Sequence, residues 1–135
     1  MREILFRGKG DPKWNDGHWT YGVPMQGCGS SDWQICTDVC RATVLPETIG
    51  EYTGCKDADG NRIFEGDIIS VTHEQELYDY KPNPTYTEKG LVFSDKTHYG
   101  WYVLFKAKAE ALALGELDCK DIHVLGNIHD NPELF

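Results

Sequence analysis

Residues 56–72 read Lys56-Asp57-Ala58-Asp59-Gly60-Asn61-Arg62-Ile63-Phe64-Glu65-Gly66-Asp67-Ile68-Ile69-Ser70-Val71-Thr72. Two turn signals bracket a short apolar run and open onto a strand. The Asp-Gly and Gly-Asn pairs within Lys56–Asn61 tolerate the positive φ that tight hairpin turns demand. Glu65-Gly66-Asp67 makes a second turn, and Ile68–Thr72 has the β-branched character of a strand. Gly66 supplies a φ that other residues resist, which is how a small barrel enters a sharply bent strand.

Working outward, short apolar runs separated by turn residues continue in both directions. Upstream, Thr48–Thr53 is β-compatible, and Trp19, Tyr21 and Val23 alternate with Thr20 and Gly22 at the period of a half-buried strand. Ile4-Leu5-Phe6 is a candidate first strand, and Trp33, Ile35 and Thr37 a returning one. Gly8–Gly17 and Pro24–Asp32 read as loops, and Pro46 ends the segment from Val39. Downstream, Glu74–Lys89 is polar with two prolines and reads as a long surface loop. Leu91–Phe93 and Trp101–Phe105 are strands joined by a turn. The alanine-rich Lys106–Leu117 is predicted as the one short helix. Ile122–Ile128 is a last strand, in which Gly126 marks a corner or a close backbone approach, and Asn131–Phe135 is a terminal turn. The expected fold is a mainly antiparallel β protein, a small barrel.

The 135 residues are enough for a real core without disulfides or metal. Thirteen Lys and Arg against 22 Asp and Glu leave a net charge of −9. That balance argues against extended nucleic-acid binding and against an anionic membrane surface. With 40% hydrophobic and 12% aromatic residues the chain is richer in core formers than a disordered acidic segment. It has no apolar stretch of membrane-spanning length, and its opening residues lack the apolar core of a secretory signal. Five cysteines, an odd number, fit reduced thiols. A cytoplasmic location is expected.

Three stretches together resemble the YopX-like proteins of phages and prophages. They are Met1-Arg2-Glu3-Ile4-Leu5-Phe6-Arg7-Gly8, Pro46–Gly54 continuing through Lys56-Asp57 and Gly60 to Ile63–Ile69, and Val124-Leu125-Gly126-Asn127-Ile128-His129-Asp130-Asn131-Pro132-Glu133-Leu134. Trp19-Thr20-Tyr21-Gly22 fits the family's aromatic–glycine strand. Cys55 stands where the family usually carries an apolar residue. The resemblance implies an SH3-like barrel over about residues 48–130, with an N-terminal β segment beside it, and an origin in a bacterial host cell. The division expected is 1–47, a β segment with a variable cysteine-containing loop, and 48–135, the barrel domain. The resemblance implies no reaction, so it carries over no catalytic residue.

Several constellations could carry chemistry. Cys28, Cys36, Cys40 and Cys55 supply four thiols for tetrahedral zinc, but no Cys-x-x-Cys knuckle is present. Cys36 and Cys40 would share a face only if Ile35–Ala42 were helical, and Cys55 reads more simply as core. His123 and His129 would project together from a straight strand, but Gly126 and Asn131-Pro132 argue against one, and the family resemblance, whose ending often has an aromatic at this place, implies a packing role for His129. Asp57-Ala58-Asp59-Gly60-Asn61 resembles a calcium loop but lacks the glycine and distal glutamate of an EF-hand, so the turn reading is preferred. Glu65 and Asp67 are expected to cap backbone N–H groups at their turn. Trp14, Trp19, Trp33, Trp101, Tyr21, Tyr52, Tyr99 and Tyr102 could stack on bases, with Arg2, Arg7, Lys9, Lys13, Arg41 and Arg62 as the available cations, though core packing accounts for most of these aromatics. No phosphate-binding loop is present.

No catalytic, cofactor-binding or metal residue is therefore assigned, and no cofactor is expected. The expectation is a non-enzymatic phage or prophage accessory protein that binds a host or phage protein. The alternative is a homo-oligomer that sequesters a small nucleotide-like ligand in a pocket between subunits.

Overall fold

The structure is a computed structural model describing residues 3–14, 16–27, 32–75, 83–95, 97, 100–107 and 110–135. Two compact units divide the chain, Met1–Gly54 and Cys55–Phe135. The division expected at 47/48 falls in a 3-10 turn, Pro46–Thr48.

In the first unit, β1 (Phe6–Lys9), β2 (Trp19–Gln26), β3 (Trp33–Cys36) and β4 (Arg41–Val44) pair antiparallel in the order β4-β3-β2-β1, and β5 (Gly50–Lys56) follows β1. After β1 the chain returns to the edge of β4. Gly10 bridges Val44, the Asp11 N–H donates to the Thr43 carbonyl at 3.0 Å, and the Leu45 N–H donates to the Lys9 carbonyl at 2.9 Å. The sheet thus curls toward its own first strand, which hides an edge that would otherwise offer unpaired backbone groups. Glycine makes that curl possible. A Cβ at Gly22 would collide with the carbonyl of Cys36, and one at Gly8 would lie 3.0 Å from Val44 Cβ. Ile35 and Val44 fill the inner face these glycines leave open.

In the second unit, the end of β5 turns through Asp57–Asn61 into β6 (Arg62–Phe64). A five-stranded antiparallel sheet follows, in the order β10-β9-β8-β7-β11. Its strands are β7 (Asp67–Glu74), β8 (Thr85–Asp95), β9 (Gly100–Phe105), β10 (Glu110–Ala113) and β11 (Ile122–Asn127). The core is Ile63, Ile69, Val71, Val92, Val103, Phe105, Leu114 and Ile122, with Cys55, Trp101, Leu112, Leu117 and Val124 packed against it. Gly90 lacks a Cβ where Val103 and Phe105 crowd in. Among the described residues no pairing joins β10 to β11, and no closed barrel is found.

Several expectations are corrected. Gly8–Lys9 and Pro24–Gln26, expected in loops, extend β1 and β2. The described residues of Lys106–Leu117 form no α-helix: β10 pairs with β9 through Leu112↔Val103 and Ala113↔Tyr102, and a 3-10 turn, Leu114–Glu116, follows. Leu112 and Leu114 reach the core at a spacing of two. Burial at that period outweighs alanine's intrinsic preference for helix. The polar stretch Glu74–Lys89 is not all loop either. β8 begins at Thr85, and β7 runs on to Glu74 opposite it. Residues 76–82 lie outside the described residues.

Candidate functional site

The signature turn Asp57–Asn61 works as a brace on β11. β11 closes one side of its sheet by pairing with β7, and its outer edge takes the turn instead of another strand. The Ala58 N–H donates to the Ile122 carbonyl at 2.9 Å, and the Val124 N–H donates to Asp57 Oδ2 at 3.0 Å. Asp57 also accepts from the N–H groups of Asp59 and Asn61, at 3.0 and 2.8 Å, and from Asn61 Nδ2 at 3.2 Å. It is 4% exposed. Burial alone would raise its pKa. The hydrogen bonds from Val124, from Asn61 and from Asp59 outweigh that and hold the carboxyl below its ordinary value of 3.8. Beside it, His123 Nδ1 lies 3.0 Å from Asp59 Oδ2 at the surface. Every acceptor site of Asp57 is thus engaged by the fold, as the turn reading predicts.

The Glu65-Gly66-Asp67 turn is structural in the same way. Gly66 has φ +90°, its N–H donates to the Val92 carbonyl and its carbonyl accepts from the Ile128 N–H, both at 2.9 Å. Asp67, almost wholly buried, accepts the Phe64 N–H at 2.8 Å. The ending Gly126–Leu134 is a second interlocked turn. The register of β11 on β7 shifts between Val124 and Gly126. A Cβ at Gly126 would press into Asn131 and approach Leu134 Cδ1. Asn127 Oδ1 accepts the N–H groups of His129 and Asp130 at 3.0 and 2.9 Å. His123 and His129 are therefore not brought together: one meets Asp59, and the other packs over Gly66.

Of the four candidate zinc thiols, Cys28 lies outside the described residues. Cys36 ends β3 with its Sγ 2.9 Å from Met25 Sδ, Cys40 is exposed in the β3–β4 turn, and Cys55 packs on the second unit's core. Ile35–Ala42 is strand, turn and strand, so the helical face that would align Cys36 with Cys40 does not form. Among the described residues no three His, Cys, Asp or Glu side chains cluster as metal ligands. Of the aromatics, Tyr52 is buried, Trp101 packs on the core and Tyr102 tilts against Phe93. Arg7 is buried with its guanidinium carbon 4.6 Å above the Trp19 ring. Arg2 and Tyr99 lie outside the described residues.

Two features went unread in the sequence. One is a mostly buried ionisable pair, His73 of β7 and Glu88 of β8. Nε2 and Oε2 lie 3.0 Å apart, without the alignment of a hydrogen bond, and the side chains are 18% and 10% exposed. The imidazole stacks on Tyr86 at 5.1 Å and takes the Phe105 ring edge-on at 5.3 Å. The strand parity of Ile69 and Val71 carries His73 to the core face, a signal that the polar composition of the partner strand hides.

The other is an apolar ridge. Along β2, Tyr21, Val23 and Met25 are 48%, 60% and 43% exposed, on the face opposite Ile35 and Val44. Alternation marks β2 as a strand, but which of its faces meets the core depends on Ile35 and Val44, which pack into the space beside Gly8 and Gly22. The same unit has an open groove of about 400 Å³ lined by Pro24, Trp33, Pro46 and Ile49. Among the described residues no helix is long and apolar enough to cross a membrane.

The fold is similar to that in the crystal structure of protein EF1440 from Enterococcus faecalis, with a TM-score of 0.51 and 21% identity over 99% of each chain. At that identity the likeness is one of fold. No curated protein matches the chain. The family described as YopX protein matches residues 13–135, which take in the central turns, the bulge at Gly126 and the Asn-Pro ending. The chain belongs to the YopX protein family.

Proposed function

We propose that this chain is a non-enzymatic accessory protein of a phage or prophage, working in the bacterial cytoplasm by binding a host or phage protein. The observation that carries the reading is the ridge of Tyr21, Val23 and Met25, three apolar side chains turned to solvent on consecutive outward positions of one strand. Single exposed apolar residues are ordinary, whereas an aligned set is the pattern of a contact surface. The sequence motifs do not compete with it, since Asp57, Gly66, Asp67 and Asn127 spend their hydrogen-bonding groups on the fold. The reading also takes the second unit's sheet as the partly open SH3-like barrel that the family resemblance implies.

Affinity capture from bacterial lysate tests this, with wild type beside Val23→Glu and mass spectrometry of what is retained. A protein retained by wild type and lost from the variant supports the reading. Identical retention by both, or turnover of a phosphoester, nucleotide or peptide that disappears on one point substitution, contradicts it.

The groove at Pro24, Trp33, Pro46 and Ile49 favours one second reading, binding of a small nucleotide-like ligand by a homo-oligomer, with Trp33 as the stacking surface. Thermal stabilisation by such ligands that Trp33→Ala removes would support it.

A further inference from the structure

In a chain of net charge −9, strands β1 to β4 contain Arg7, Lys9 and Arg41 and not one Asp or Glu. The register places all three cations on the face that carries the ridge. Arg7 pairs with Tyr21 and Lys9 with Trp19 across β1 and β2. Cys36 stands opposite both Val23 and Arg41 across β3. Residues directly opposite one another in a ladder share a face, so Lys9, Trp19, Tyr21, Val23, Cys36 and Arg41 form one surface. Arg7 is buried under Trp19, which leaves the half-buried Lys9 and the exposed Arg41 as its outer charges. Asp11, Asp16, Asp32 and Asp38 lie in the connections between these four strands. Met25 has its sulfur against that of Cys36, and a thioether side chain adapts readily to different contacts.

We propose that the occupant of this face is an acidic, extended segment of a partner protein. Its apolar side chains lie on Tyr21, Val23 and Met25, and its carboxylates face Lys9 and Arg41. The proposal rests on the protein-binding reading above and adds the partner's chemistry. Charge complementarity chooses the occupant: a basic segment would meet the exposed Arg41 beside the apolar ridge, and the strands of this face supply no carboxylate to receive it. A nucleic-acid strand carries a charge at every residue, which two surface cations on an acidic chain do not neutralise. A peptide needs only two or three carboxylates and supplies the apolar contacts as well.

Fluorescence anisotropy with defined probes tests the proposal on the full chain. The probes are a labelled peptide alternating Val or Leu with Glu or Asp, the same peptide with lysine at every acidic position, and an oligothymidylate. The acidic peptide is expected to bind, more weakly at high salt, and the lysine peptide not to bind. Arg41→Glu and Val23→Glu should each weaken the acidic peptide about tenfold or more, while Lys56→Glu, the same charge change at an exposed position in the other unit, should leave it within about twofold. Equal affinity for both peptides, absence of binding, indifference to Arg41→Glu, or preference for the oligothymidylate would each overturn the proposal. The protein-binding reading would survive those results if lysate capture still depended on Val23, so the two fail separately.

Discussion

Asp57 and Val124 stand 67 residues apart in the chain, yet the carboxylate of one accepts the backbone N–H of the other at 3.0 Å. One oxygen of a turn side chain thereby replaces an edge strand for β11. The same carboxylate fixes its own turn through Asp59 and Asn61, so one residue couples a local signal to a distant strand.

Replacing Asp57 with Ala should cost about 1–3 kcal/mol, because a buried carboxylate that accepts four hydrogen bonds is lost and the partly buried Val124 N–H loses its acceptor. Asp57→Asn should cost less, since one amide oxygen remains. Urea unfolding of the variants beside wild type measures both.

The same carboxylate sets an acid limit. A folded pKa below the ordinary value makes a stabilising contribution that is complete above the unfolded pKa and is lost as pH falls through the folded pKa. The wild-type urea midpoint should therefore drop below about pH 4 more steeply than that of Asp57→Asn. Parallel curves for the two proteins would show that the carboxylate charge does not matter.

Gly22→Ala should destabilise by about 3 kcal/mol, since its Cβ would strike the Cys36 carbonyl, part of a backbone that cannot move without disturbing the β2–β3 ladder. Gly126→Ala should cost less, because the obstruction is the side chains of Asn131 and Leu134. Gly115→Ala, with open space around it, is the control. Thermal melts rank the three.

His73→Phe should cost less than His73→Ala, because it keeps a ring between Tyr86 and Phe105 although it removes the imidazole 3.0 Å from the mostly buried Glu88 carboxylate. His73→Ala should cost about 2–3 kcal/mol through the lost packing. If Phe proved as damaging as Ala, the pairing with Glu88 rather than the ring would be what stabilises β7 against β8.

Much of this fold is legible in the sequence where the signal is local. Gly66 announces its positive φ through Glu65-Gly66-Asp67, Asp57 announces its turn, and Trp19-Thr20-Tyr21 announces strand by alternation. Lys106–Leu117 misleads because helix preference is local while the competing gain, Leu112 and Leu114 reaching the core, exists only once β9 is in place. Glu88 stays hidden because the polar residues around it mask a strand held by cross-strand pairing with β7. The ridge is legible as alternation but not as exposure: whether Tyr21 or Gly22 faces inward depends on Ile35 and Val44, which belong to other strands. No motif marks the surface proposed to bind a partner, because the motifs belong to turns that hold the fold.

The most direct measurement is site-specific photo-crosslinking in bacterial cells, with a photoreactive residue at position 23 in one protein and at the exposed position 120 in another. Binding through the ridge predicts a discrete heavier adduct from position 23, containing one defined second protein, that is lost when Tyr21 is also changed to Asp. The same adducts from both positions, or none from position 23, would contradict it.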